Sequence, residues 1–372
     1  MQQLNLESIA TKTYPNSFEQ LEQCLANGRD IYLFGGIRNS CTLASATRNF
    51  LDSRGIEIKG HLAESAFIPS ATYKGKPFYA LEEWSGDKNV NIIIGTTDVK
   101  AKAKMLKELG FKNLYFLNPF QDLLYRESCS KDFKEFFLTH QDRFQATYDC
   151  LSDDLSRTIM RGYLQARIYN NYDILAQTYD KNNYFTSPLS FGQNEVFVDC
   201  GAYDGDTCLE FVKNVPNYVH IYAFEPDTKI LPKLQENTKN LRCTIVPKGA
   251  YEREDVLHFS IGSNGDSTIT TQADEHTISI PTQSIDNVVP KNLKGGGGNI
   301  YIKMDIEGGE LSALKGAEET IKRYKPKLGI CVYHKREDLI TIPQYILSLN
   351  KDYKLYLRNR TPVAEDTILL AF

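Results

Sequence analysis

The sequence predicts an α/β protein: two α/β units joined by a helical stretch. Three segments carry that reading. Residues 195–226 (EVFVDCGAYDGDTCLEFVKNVPNYVHIYAFEP), 300–324 and 31–53 each run from an apolar strand through a glycine-containing turn into a helix. At 372 residues the chain exceeds the usual size of one core, which favours two domains. The expected boundaries are a small Rossmann-like α/β domain over 1–120, a helical connector over 121–190 and a larger α/β domain over 191–372.

The first unit opens with Ile31-Tyr32-Leu33-Phe34-Gly35, an apolar run ending in glycine, followed by a turn and a helix-like segment from Cys41 to Ser53. Residues 55–62, Asn91–Thr96 and Leu114–Leu117 read as further strands, and Val99–Leu109 as a helix. Gly35, Gly36 and Arg38 form a candidate phosphate cradle, and the arginine suits a nucleotide-sugar. A scaffold with a degenerate site is the alternative reading.

From Gln121 to Tyr184 the strands stop. Phe133, Phe136 and Phe137, then Leu155, Ile159 and Tyr163, recur at helical spacing among charges. The stretches Tyr169–Tyr172 and Lys181–Phe185 are polar and aromatic enough to line a sugar site, although capping and packing account for them more simply.

In the second unit, Val196-Phe197-Val198 has the continuous apolar character of a buried parallel strand, and Asp199 ends it with a carboxylate. Gly201 and Gly205 allow a sharp turn and a close approach to a ligand. Residues 220–224 form the next strand, and Glu225 follows 26 residues after Asp199, about where an α/β nucleotide site places its ribose-binding acid. Pro226 is expected to open the next helix.

The spacing from Gly201 to Gly205 is GxxxG, not the GxGxxG of a dinucleotide site, and it brings Asp204 and Asp206 to where a pyrophosphate would meet the helix. Two carboxylates repel a pyrophosphate. They suit a ligand with a positive centre and ribose hydroxyls, and S-adenosylmethionine carries an ammonium and a sulfonium beside its ribose.

Farther on, Thr244–Val246 and His258–Ile261 read as strands that extend the sheet, Gly262–Thr268 as a polar loop able to reach the ligand, and Gly295–Gly298 as a flexible tip. Ile300–Met304 is a strand, and Asp305-Ile306-Glu307-Gly308-Gly309-Glu310 a turn with three acids. The helix that follows sets Leu311, Leu314, Ile321 and Tyr324 on one face. Leu328–Tyr333 is another strand with His334 at its end, and residues 353–357 and 367–372 are the last two. Ligands of an open parallel sheet lie outside the C-terminal strand ends, so Asp199, Glu225, Asp305 and His334 should converge on one crevice.

Composition narrows the partners. The net charge of −4, from 43 Lys+Arg against 47 Asp+Glu, gives no electrostatic case for a nucleic-acid polymer or an anionic membrane. No run of about 18 apolar residues occurs and the first residues lack the layout of a signal peptide, so a cytoplasmic protein without an integral membrane segment is expected. The eight cysteines show no CxxC pair and read as reduced thiols.

Taken together, VDCGAYDGDT (198–207), AFEPD (223–227), KGAY (248–251), IKMDIEGGELSALKGA (302–317) and VYHKREDL (332–339) resemble the FkbM-type S-adenosylmethionine-dependent methyltransferases. The resemblance covers the chain from Glu195 to its end. It implies a seven-stranded class I methyltransferase fold of Rossmann-like character, and carbohydrate modification: methylation of a hydroxyl on a small molecule or glycan acceptor, usually a sugar. Carried over by position, Asp199, Gly201, Asp204 and Gly205 would line the methionine part of the cofactor, and Tyr203, Asp206 and Thr207 would also bind the cofactor. Glu225, with Pro226 after it, would take both ribose hydroxyls, while Gly249, Ala250 and Ser267 would flank the adenine.

Methyl transfer to a sugar hydroxyl needs a base within reach, and Asp305, Glu307 and His334 are the candidates. For Glu310 a helix-capping role is the simpler reading. A Mg2+ ion held by Asp305 and Glu307 is a further candidate cofactor. Two rival functions stand beside the O-methyltransferase. One is a nucleotide-sugar or glycan-binding protein with a non-catalytic methyltransferase-like domain, and the other, disfavoured by the acids in the first turn, is an NAD-dependent oxidoreductase. The acceptor, the position methylated and the oligomeric state are not legible in the sequence.

Overall fold

The computed structural model describes residues 3–10, 12–13, 15, 17–37, 42–117, 130–180, 182–261, 267–270, 277–290 and 299–372. Arg38 and the Gly295–Gly298 run lie outside them.

The first sheet contains β1 (Ile31–Phe34), β2 (Gly60–Ala63), β3 (Thr72–Tyr73), β4 (Lys76–Ala80), β5 (Asn91–Ile94) and β6 (Asn113–Phe116), in the order β3-β4-β2-β1-β5-β6. All neighbours are parallel except the β3–β4 hairpin. β1, β2 and β5 are buried almost throughout, as the central strands of a parallel sheet are. The order reverses between β1 and β5, and that reversal fixes where a ligand crevice can open.

The second sheet is built from β7 (Val196–Cys200), β8 (His220–Phe224), β9 (Cys243–Val246), β14 (Ile300–Met304), β15 (Lys327–Cys331), β16 (Leu355–Asn359) and β17 (Thr367–Ala371). Its order is β16-β17-β15-β14-β7-β8-β9, with five parallel strands and with β17 antiparallel between β15 and β16. Every residue of β7 and β14 is buried, which places the switch point, between these two strands, at the centre of the core.

Four expectations change. The strand at 258–261 does not extend the main sheet: β11 (Asp255–Ile261) joins β10 (Gly249–Ala250), β12 (Ser267–Thr270) and β13 (Thr277–Gln283) in a separate sheet ordered β10-β13-β11-β12. Ser267 and Thr268 belong to β12 and not to a loop. Pro226 does not open a helix, since the next one starts at Leu231 with Pro232 in its first turn. The helix after Glu310 is two pieces, Glu310–Lys315 and Glu318–Tyr324, because Gly316 passes so near Tyr251 that a Cβ there would lie 2.0 Å from its carbonyl oxygen.

The helices Ser130–Thr139, Gln141–Cys150 and Asp154–Tyr169 do more than connect. Phe133, Phe137, Phe144, Ile159 and Tyr163 belong to the same buried cluster as Val196, Phe197 and Tyr301. Leu4 and Ile9, flanking and ending the first helix (Leu6–Ile9), are buried in that cluster too. The first sheet keeps its own two clusters, around Leu33 and Phe50 on one face and around Phe34 and Ile92 on the other.

Candidate active site

Three strand ends are tied together by their backbones. Gly201 and Ala202 donate their N–H groups to the Phe224 carbonyl, joining the β7 turn to β8, and Asp305 N–H donates to the Cys200 carbonyl at 3.1 Å, joining it to β14. Gly201 has φ 78°, and a Cβ there would lie 2.0 Å from the Asp305 carbonyl oxygen. Only glycine lets the two strand ends meet this closely.

Glu225 caps β8 and is 7% exposed. Its two carboxylate oxygens each accept one backbone N–H at 2.8 Å, from Tyr203 and from Asp227. Burial raises its pKa while those two bonds act to lower it. Each oxygen has a further lone pair, and together they form the acceptor pair that two vicinal ribose hydroxyls, donating, need. The chemistry of the residues therefore fits S-adenosylmethionine: Glu225 would take the ribose, and the Gly201–Gly205 turn would lie beside the methionine end.

The acids of the turn take different positions. Asp199 is fully buried beneath the turn, 3.0 Å from Lys303 Nζ, which also donates to the Gly201 carbonyl at 2.7 Å. Burial raises the Asp199 carboxyl, and the ammonium of Lys303 works against that rise. Asp199 thus props the turn from below and does not line the crevice. Asp204 pairs with Lys233 at 2.6 Å on the outer side. Asp206 receives the N–H of Thr207 at the start of the helix Asp206–Asn214, whose N-cap is Gly205 at φ 89°. Tyr203, at φ 47°, is 44% exposed at the mouth.

Gly249 and Ala250 on β10 and Ser267 on β12 sit at opposite edges of the small sheet. Three strand spacings, about 14 Å, separate them sideways, and the register sets them at opposite ends of β13 as well, too far to close on the two faces of one base. The expected adenine trio is therefore not assembled.

Around Asp305 the structure gathers what the sequence kept apart. Its carboxylate accepts hydrogen bonds from Tyr184 at 2.8 Å and Tyr333 at 3.1 Å, and lies 3.4 Å from His334 Nε2 and 3.7 Å from Arg360. Burial alone would raise its pKa, but Lys303, His334 and Arg360 outweigh that and hold the carboxyl well below the usual carboxylate range. Asp305 stays an anion and a weak base.

His334 is 5% exposed by side chain, with Nδ1 2.8 Å from Glu310 Oε1 and Nε2 3.6 Å from Glu307 Oε2. Burial lowers an imidazole pKa, yet the facing Glu310, aided by Glu307 and Asp305, lifts this one to about 9. The ring is a cation at neutral pH, so the expectation of a free histidine base gives way to a charged group. Glu310, fully buried, also accepts the Ile306 N–H at 3.0 Å and so shapes the turn as well as holding His334. Glu307, at φ 55° in that turn, projects into solvent. One ligand atom each of Asp305, Glu307 and His334 lie within 4.8 Å of one another.

Tyr184, Tyr333, Arg360 and Lys303 went unassigned in the sequence. Tyr184 carried a signal as part of the polar aromatic stretch at 181–185, and Lys303 and Tyr333 fell inside the 302–317 and 332–339 motifs, whereas Arg360 carried none.

No curated protein sequence matches this chain. Among solved structures, the methyltransferase FkbM of Methylobacillus flagellatus KT is 22% identical, with 95% of this chain aligned to 93% of that one at a TM-score of 0.66. That likeness shows a shared fold. Looser matches, at a TM-score of 0.31, include an rRNA methylase from Streptococcus thermophilus (14% identity, 55% of this chain, 93% of that one) and fibrillarin from Aeropyrum pernix (10%, 50% and 70%). Residues 199–359, which hold the Asp199 turn, Glu225, Asp305 and His334, match the methyltransferase FkbM domain. The C-terminal part of this chain is therefore an FkbM methyltransferase domain, and the protein is an S-adenosylmethionine-dependent methyltransferase.

Proposed function

We propose that the chain methylates a hydroxyl of a sugar, carried on a nucleotide or on a surface glycan precursor. The observation that supports this reading is the ring of polar groups at the end of β14, where Tyr184, Tyr333, His334 and Arg360 surround the Asp305 carboxylate. A polyhydroxylated acceptor is matched by such a set of hydrogen-bonding groups.

S-adenosylmethionine supplies an electrophilic methyl group on a sulfonium. Glu225 orients it through the ribose, and the glycine turn lets the backbone lie against it. In-line placement of the two reactants accounts for roughly 7–11 kcal/mol of barrier lowering in such reactions. As the new C–O bond forms, the hydroxyl proton passes to Glu307, the exposed carboxylate of the site. His334, already cationic, steadies the charge on the acceptor oxygen, while Glu310 and Asp305 fix its ring. Asp305 is too weak a base for that proton. Its donors are protein groups, and a neighbouring imidazolium opposes a dication, so a Mg2+ ion has no part in this reading.

The test is incubation of the purified protein with methyl-labelled S-adenosylmethionine and a panel of nucleotide-sugars and glycan extracts, read by mass spectrometry. Label in an O-methyl sugar is expected. Label only on nitrogen, or only in products without carbohydrate, overturns the acceptor assignment.

A further inference from the structure

The N-terminal domain contains a cavity of about 310 Å³ that the methyl-transfer chemistry does not use. It opens at the point where the first sheet reverses, between the C-terminal ends of β1 and β5, the place where open α/β sheets take ligands. Gly35 and Gly36, directly after β1, form part of its wall, as does Thr42, the N-cap of the helix Leu43–Ser53.

That helix comes unusually close to the strand ends. A Cβ on Gly35 would lie 2.8 Å from the Gly95 carbonyl oxygen, and one on Gly95 would lie 2.8 Å from the Ala44 Cα. The two glycines let the first turn of the helix sit directly over the switch point, where its backbone N–H groups and dipole favour an anion.

Two further walls point to the rest of a ligand. Glu64 follows β2, the strand next to β1, at the position from which an acid reaches a ribose diol in this topology, and it now pairs with Lys102 at 2.6 Å. Thr96, just beyond β5, lines the same cavity, and its hydroxyl lies sealed in the wall with no hydrogen-bond partner among the described residues. Such a group is left for a ligand to satisfy. Phe67, 38% exposed, adds an apolar plate for a base.

We propose that this cavity binds a nucleoside 5′-phosphate, with the ribose diol on Glu64, the phosphate at the first turn of the helix Leu43–Ser53 and the base against Phe67. Lys102 supplies the positive charge. The volume falls at the low end of the roughly 300–1,000 Å³ of small-molecule pockets, room for one nucleotide and not for a dinucleotide. This site stands apart from the methyl-transfer centre and does not depend on its assignment.

The test is calorimetry of the full-length protein with AMP, GMP, UMP and CMP, the C-terminal site first saturated with S-adenosylhomocysteine. At least one ribonucleotide binds with a submillimolar Kd. Its 2′-deoxy counterpart and the Glu64→Gln protein each bind about tenfold more weakly, as loss of a charge-assisted hydrogen bond implies. Thr96→Val, which removes the hydroxyl at constant shape, weakens binding as well. Unchanged S-adenosylmethionine binding confirms that both variants are folded. Absence of binding by all four nucleotides, binding abolished by S-adenosylhomocysteine, or binding indifferent to both Glu64→Gln and 2′-deoxy substitution overturns the proposal.

Discussion

His334 Nδ1 lies 2.8 Å from Glu310 Oε1, and this contact, aided by Glu307 and Asp305, turns a histidine that would be neutral by burial into a cation. The pair joins two strand-end turns, since Glu310 follows β14 and His334 follows β15. Its charge state carries a stability consequence with a definite sign.

In the unfolded chain His334 titrates near 6.5, and in the folded protein near 9. The contribution is fully present below pH 6.5 and lost as pH rises through 9, amounting to on the order of 1–3 kcal/mol. Urea unfolding at pH 6.5 and pH 9 should show wild type losing stability over that interval. The Glu310→Gln protein should lose clearly less, and equal losses would show that Glu310 does not set the charge.

Replacing Glu225 by Gln keeps the shape and removes the charge that receives the ribose hydroxyls. S-adenosylmethionine affinity should fall about ten- to a hundredfold, corresponding to roughly 1.5–3 kcal/mol. Calorimetric titration reads this directly, and an unchanged Kd would move the ribose elsewhere.

Glu307→Gln separates chemistry from binding. Removing the proton acceptor should lower kcat by about 10²–10⁴-fold while leaving cofactor affinity in place. A variant with wild-type turnover would pass the base role to another group.

Gly201→Ala sets a Cβ 2.0 Å from a backbone oxygen in a residue already at φ 78°. The expected cost is about 3 kcal/mol, against about 1 kcal/mol for Gly28→Ala, which has a similar φ of 66° and nothing within 4 Å. Denaturant midpoints of the two variants give the comparison.

Exhaustive chelation provides the last check. With Asp305 held by Tyr184 and Tyr333 and faced by an imidazolium, methyl transfer should persist unchanged after dialysis against EDTA. A loss restored by added Mg2+ would mean that Asp305 and Glu307 bind metal after all.

What could be read in advance followed chain locality. Asp305, Glu307 and Glu310 fall within six residues of one strand-to-helix turn, so their shared neighbourhood was visible in the sequence. Glu225 was placed by the spacing of consecutive strands. Tyr184 reaches Asp305 across 121 residues, and Arg360 arrives from the end of β16, so no local pattern joins them. The charge on His334 was hidden for the same reason, because it depends on a carboxylate from another turn. β11 was assigned to the wrong sheet because strand character in a short segment says nothing about which neighbour it pairs with.

The burial of Leu4 and Ile9 among the residues that pack around β7 makes the C-terminal core discontinuous in sequence. The first sheet is then an insertion, leaving that core after Ile9 and returning to it by Phe133, tethered at both ends as a loop would be. A fragment beginning at Glu195 would strip Leu4, Ile9, Phe133, Phe144 and Tyr163 from its own interior. Excision of the inserted sheet with a short bridge between its two attachment points is the cut that leaves the core whole.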